Sequence, residues 1–252
     1  MGIKGTASQA FSEAFKQAIE LGKRYYLAFL VPVALGFIWG VISRIYLYGG
    51  IMALMSSLMT SHPGMQEIVN LRHLTFILIL TMFISLLLWL ITFSGAGLIM
   101  KNRNNKEFKL TFEEIMSYTG NRIGSLVTGG IMYMFLPAIP ALIPFIGFIY
   151  IIGFFIYIFF IGKNYGGFFF WAYPVITEDK TAQEGFAIAK EVVLSKKGPF
   201  WIALILGGIV IWITNMFFGF IPYIGYILIW ALNLIFLIYT GILYYDYNGD
   251  ID

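Results

Sequence analysis

The chain has 252 residues, 60% of them apolar and only 12% charged, with a mean hydropathy of +0.83. A soluble domain carries about 25% charged residues, so too little polar surface exists to cover a water-soluble globule, and lipid is the expected solvent for most of the molecule. The lack of cysteine excludes disulfides, thiolate metal sites and CxxC redox chemistry, and the scattered net charge of +3 excludes nucleic-acid binding.

The first 25 residues are charged and amphipathic, unlike a cleaved leader, so the first span is expected to serve as its own anchor. TASQ at 6–9 matches the capping box Thr-x-x-Glu/Gln, in which the two side chains satisfy free backbone donors at a helix start. It opens a stretch with Phe11, Ala14, Phe15, Ala18 and Ile19 on one face and Glu13, Lys16 and Glu20 opposite. Spans are expected over 25–47 and 74–100, since about 20 apolar residues cross a bilayer. Between them lies a long outer segment, 48–73, expected to cover the outer turns of the later hairpins. His62, Glu67 and His73 in this segment lack metal-ligand spacing, and no metal is expected.

A second box, TFEE at 111–114, sets Phe112, Ile115, Met116 and Ile123 against Glu113, Glu114 and Ser117. Spans follow over 123–142 and 145–170. They meet at PALIPFIG (140–147), where proline and glycine break the helix in a tight outer hairpin. Lys163 and Asn164 interrupt the fourth span. They are read as an interfacial pair in which the lysine snorkels, or as polar lining of a cavity. A third box, TAQE at 181–184, sets Ala182, Phe186, Ala189 and Val193 against Lys180, Glu184 and Glu191. Spans over 200–220 and 222–245 meet at FGFIPYIG (218–225). They carry Asn215 and Asn233, whose expected role is an interhelical hydrogen bond, with cavity lining as the alternative. The tail DYNGDID (246–252) is an acidic end without the remainder of a calcium loop.

Basic residues orient the six spans. With the N-terminus in the cytoplasm, fourteen Lys and Arg fall inside and only Arg44 and Arg72 outside, so both termini are expected to be cytoplasmic in a cell membrane. Sliding the chain by 78 positions lays 111–163 over 189–241 with twelve identities, among them Gly120/Gly198, Gly129/Gly207, Pro144/Pro222 and Gly147/Gly225. Composition alone would give roughly a third as many. The expected fold is an all-α polytopic membrane bundle in one domain, 1–252. It has three cytoplasmic-side amphipathic interfacial helices and a parallel internal repeat with units of about 6–104, 111–174 and 181–246.

YPVITEDK (173–180) and KKGPFW (196–201) resemble the signature of the membrane domain attached to some glycerophosphodiester phosphodiesterases, shared by free-standing six-span bacterial inner-membrane proteins. In that family a proline and an acid end the fourth span, and a Gly-aromatic step enters the fifth. Pro174, Glu178, Gly198 and Trp201 take those positions. The resemblance implies the six-span layout and no chemistry, because the phosphodiester-cleaving site belongs to a soluble domain that is not part of this sequence.

No GxSxG, HExxH or Walker loop is present, so no enzyme activity and no cofactor are expected. The expected function is handling or translocating an amphiphile, a lipid or peptide, with membrane lipids as partners. Lys196 and Lys197, at the exit of the third interfacial helix, are the candidate headgroup contacts. The alternative is a scaffold for another membrane subunit or a soluble protein.

Overall fold

The structure, a computed structural model, describes residues 6–59, 65–105, 107–135, 164–196, 198–219, 221 and 224–247. The described residues form helices joined by short turns: α1 (Ala7–Tyr25), α2 (Leu30–Met59), α3 (Met65–Asn102), α4 (Phe112–Gly129), α5 (Tyr165–Phe170), α6 (Ala172–Thr177), α7 (Ala182–Leu194), α8 (Gly198–Gly219) and α9 (Ile224–Asp246). A 3-10 turn, Tyr26–Phe29, links α1 to α2, and a π-helical turn, Gly130–Phe135, ends α4.

Four stretches among the described residues are long and apolar enough to cross a membrane: Ala7–Ile42, Ile79–Asn102, Gly198–Phe218 and Ile227–Asp246. Long helices suit this solvent because every backbone donor finds its acceptor inside the same helix. Side-chain hydroxyls follow the same rule. Thr92 donates to the Leu88 carbonyl at 2.8 Å and Thr119 to the Ile115 carbonyl at 2.7 Å, so neither carries an open polar group into the apolar interior. Residues 136–142 of the expected third span and 145–163 of the expected fourth lie outside the described residues.

All three capping boxes form. The Thr6 N–H donates to Gln9 at 3.0 Å, the Thr111 N–H to Glu114 at 2.8 Å and the Thr181 N–H to Glu184 at 2.9 Å, while each threonine hydroxyl accepts the N–H three residues on. These donors hold the Glu184 carboxyl below the usual carboxylate range, first through the Thr181 backbone N–H and then through its hydroxyl. A depressed folded-state pKa contributes stability that is present above the unfolded value and is lost as pH falls through the folded one. Melting curves from neutral into acid pH should therefore fall less steeply for Thr181→Ala than for the native chain. Superimposable pH profiles would contradict this.

Two expectations change. The outer segment 48–73 does not stand apart from the first two spans. Its described residues continue α2 and α3, which are 30 and 38 residues long. At 1.5 Å per residue these helices run about 45 and 57 Å, against a hydrocarbon core of about 30 Å. The apolar run 51–59 and the helix-compatible 65–73 have no internal breaker, so α2 continues to Met59 and α3 begins at Met65. In addition, no break separates an interfacial helix from a third span near Gly120. α4 continues through Gly120 and Gly124 because neither glycine sits in a turn.

The α8–α9 hairpin is as tight as its sequence suggests. The Ile221 N–H bonds the Phe218 carbonyl at 3.0 Å, and the Gly225 N–H bonds Ile221 at 3.2 Å. A Cβ on Gly225 would lie 2.0 Å from the Phe218 carbonyl oxygen, so no other residue fits this turn.

α1 lies against α8 and α9 through Ala10, Ala14, Ala18 and Gly22, one small residue per turn, all buried. Small side chains let helix axes approach closely where no water drives association. The Phe11 and Phe15 rings close on Tyr239 at 6.0 Å each.

Candidate functional site

α5 and α6 place the chemistry. Phe170 meets Phe200 in the first turn of α8 and stacks on Tyr244 in the last turn of α9, with centroids 6.0 and 5.4 Å away. Ile176 meets Gly97 near the end of α3, and Asp179 pairs with residues of α3 and α4. Both ends of the α5–α6 segment therefore touch ends of the long helices, and the segment runs across them. From its middle, Tyr173 reaches into the bundle. Its hydroxyl donates to the Leu237 carbonyl at 2.5 Å and lies 2.5 Å from the Thr240 hydroxyl. α7 returns alongside, with Phe186 over Gly167 and Val193 over Gly166.

Beneath this roof is a chamber of about 380 Å³. Trp89 and Phe93 of α3 form one wall, Trp201 and Leu204 of α8 another, and Phe236 with Thr240 of α9 a third. The volume falls in the range of small-molecule sites, about 300–1,000 Å³. The hydroxyls of Tyr173 and Thr240 are the polar side-chain oxygens in its described lining, and both are engaged with each other and with helix carbonyls. Phe169 and Ile205, 48% and 55% exposed, line the chamber and also reach the outer surface of the bundle, so the chamber opens sideways.

A seam of charge closes the same end. Arg122 pairs with Asp179, and Lys101 lies 4.0 Å from the same carboxylate. The Arg122 guanidinium stacks 3.7 Å from the Tyr118 ring centre, and the Tyr118 hydroxyl donates to the Ile176 carbonyl. Asp179 sits at φ 58, the left-handed region that short polar side chains tolerate best after glycine. There it turns the chain from α6 into α7. Arg103 pairs with Asp246, tying the exit of α3 to the end of α9. The Thr177 hydroxyl bonds Tyr245, fastening α6 to α9.

Of the residues singled out from sequence, Lys196 joins this seam. Its ammonium donates to the Tyr247 carbonyl at 2.5 Å, capping the free end of α9, and burial pushes its pKa below the usual lysine range. Lys197 and Lys163 lie outside the described residues. Asn164 precedes α5, where its carbonyl accepts the Phe168 N–H at 3.1 Å. Asn215 donates to Asn233 at 3.4 Å between α8 and α9. That pair sits toward the opposite ends of those helices from Trp201 and Thr240, so it takes no part in the chamber. His62 is outside the described residues. Among the described residues no group of three or more His, Asp or Glu is arranged to hold a metal ion.

Asp246, which reads from sequence as part of a solvated acidic tail, is buried and ion-paired, and Arg103 and Arg122, which read only as inner-side charges, pair with Asp246 and Asp179 far away in the chain. The aromatic excess reads from sequence as lipid-facing bulk with interfacial belts such as Tyr25–Tyr26 and Tyr244–Tyr245, whereas Tyr25 and Tyr244 are buried. A signal for the roof was present in FFFWAY (168–173), six consecutive residues with five aromatic rings, more than one lipid-facing helix stripe accommodates. No family model matches the chain, and neither a curated protein nor a solved structure matches it.

Proposed function

We propose that this chain is a non-enzymatic membrane protein that holds the apolar part of an amphiphile in the chamber under α5–α6. The chamber itself is the observation that supports the reading. It is large enough for a small-molecule fragment, lined by apolar and aromatic side chains, and reached from the side of the bundle. Its lining offers no polar path, so retention of a tail fits it better than passage of a polar headgroup. Arg122 and Lys101 share the single carboxylate of Asp179, which leaves one positive charge in that group at the same end for the headgroup of such a guest. In native mass spectra of protein extracted in mild detergent, an amphiphile should accompany the native chain. It should be depleted about tenfold in Leu204→Trp, which fills the chamber with an indole. Equal retention by both would remove the chamber from the reading.

The layout we propose with it has six spans, both termini in the cytoplasm of a cell membrane, and the three capped helices as interfacial elements of a repeated unit. Three features support it: the fourteen-to-two basic asymmetry, the three formed capping boxes, and the α3 helix running from Met65 to Asn102. The chain has no cysteine, so single cysteines report cleanly. Gln66→Cys and Asn104→Cys should react with a membrane-impermeant maleimide from opposite faces. Labelling from one face would sink the topology.

The scaffold reading draws support from one feature, the α2–α3 hairpin. Its helices exceed the bilayer core by about 15 and 27 Å, a length that suits contact with another subunit.

A further inference from the structure

The proposed function leaves open what kind of apolar group the chamber takes. A chamber inside a bilayer competes with lipid for its guest. Lipid tails are as apolar as leucine, so a saturated chain gains nothing from the hydrophobic effect when it leaves the leaflet for an apolar cavity. Binding must draw on something the leaflet lacks.

The walls supply one such thing. Nine of the fourteen described residues around the chamber are aromatic, among them Trp89, Phe93, Trp201 and Phe236 on its walls. The rings are fixed at different tilts: Trp89 to Phe93 at 38° with centroids 5.0 Å apart, and Phe93 to Tyr173 at 53° and 4.9 Å. Tyr173 is held by its bonds to Leu237 and Thr240, and Phe170 is fully buried between Tyr244 and Phe200. These walls cannot fold inward as aliphatic side chains do. Aromatic faces are electron-rich and their edges electron-poor, so they favour guests with flat π systems at offset or edge-on geometry. A saturated methylene chain has no such complement.

We infer that the chamber selects an amphiphile with π electrons in its apolar part, either a planar conjugated ring or the double bonds of an isoprenoid chain, over one with saturated acyl tails. This rests on the amphiphile-holding reading above and specifies its ligand class. Two or three ring contacts that the leaflet does not offer amount to a preference of about tenfold.

The test uses the full chain in nanodiscs of saturated lipid, loaded with equal mole fractions of three probes: a naphthoquinone with a saturated alkyl tail, geranylgeraniol, and dipalmitoyl phosphatidylglycerol. Retention is read by native mass spectrometry. The native chain should retain one or both unsaturated probes about tenfold over the phosphatidylglycerol. Retention of the naphthoquinone alone identifies a ring as the recognised group, and retention of geranylgeraniol alone an isoprenoid. Replacing Trp89 and Phe93 with leucine should bring the ratio close to one while total occupancy persists. Ile205→Trp blocks the mouth from an exposed position and leaves the core packing intact. If the three probes are retained equally and Ile205→Trp lowers all of them, the preference is overturned and the holding reading stands. If Ile205→Trp changes nothing, or no probe is retained, both are overturned.

Discussion

Arg103→Ala is expected to lower stability by about 3–5 kcal/mol, the largest single loss from the charged seam. Asp246 is only 8% exposed, and Arg103 is its ion-pair partner. Truncation leaves a buried carboxylate at the end of α9 without its ion-pair partner. Lys196, whose ammonium donates to the Tyr247 carbonyl, acts on Asp246 through space but makes no ion pair with it among the described residues, so it offsets only part of the loss. The cost is mainly the unpaired charge and not the bond itself, so removing that charge should recover most of it. Arg103→Ala with Asp246→Asn should be clearly more stable than Arg103→Ala alone. Reversible unfolding in mixed detergent micelles measures all three chains. Additive losses in the double variant would show that the two side chains act independently.

Gly129→Ala should cost about 3 kcal/mol by overpacking, a large effect for one methyl group. A Cβ there would lie 2.1, 2.4 and 2.6 Å from three ring atoms of Trp171. The indole cannot step aside. It is 2% exposed, and the Tyr133 ring packs on it with centroids 5.7 Å apart. Because Trp171 also roofs the chamber, the displaced ring should change its shape, and ligand retention should fall together with stability. Shrinking the ring separates these effects. Gly129→Ala with Trp171→Leu should regain stability without regaining retention. If Gly129→Ala melts like the native chain, the close approach of α4 to the roof is wrong.

Much of the helical layout was legible because its causes are local. Thr6, Thr111 and Thr181 announced three helix starts through side chains three residues apart, and each box forms. Of the six apolar runs read as spans, those at 25–47, 74–100, 200–220 and 222–245 meet the four membrane-length stretches among the described residues. The length of α2 and α3 was less legible. Residues 48–73 mix glycine, serine and histidine with methionine, and only Pro63–Gly64 is a strong breaker. The expected spans therefore stop at 47 and start at 74, about one bilayer thickness each, where the helices run on to Met59 and from Met65. The repeat shows a similar tension. The boxes at Thr111 and Thr181 lie 70 residues apart, whereas the turns at Pro144 and Pro222 lie 78 apart. α4 continues into its π turn, whereas α7 ends at Leu194 and α8 starts at Gly198. Apart from the aromatic run at 168–173, the chamber left no mark in the sequence. Its walls come from Trp89, Tyr173, Trp201 and Phe236, aromatic residues indistinguishable in sequence from the lipid-facing ones. Only the crossing of α5–α6 over the other helices turns them inward.

The sideways mouth beside Phe169 and Ile205 has a thermodynamic consequence. A guest that enters from the leaflet arrives as a solute in a two-dimensional solvent, so occupancy follows its mole fraction among lipids and not its concentration in water. Diluting the vesicles tenfold in buffer should leave a bound guest in place. Fusing them with guest-free vesicles of equal size, which only halves the mole fraction, should begin to empty the chamber.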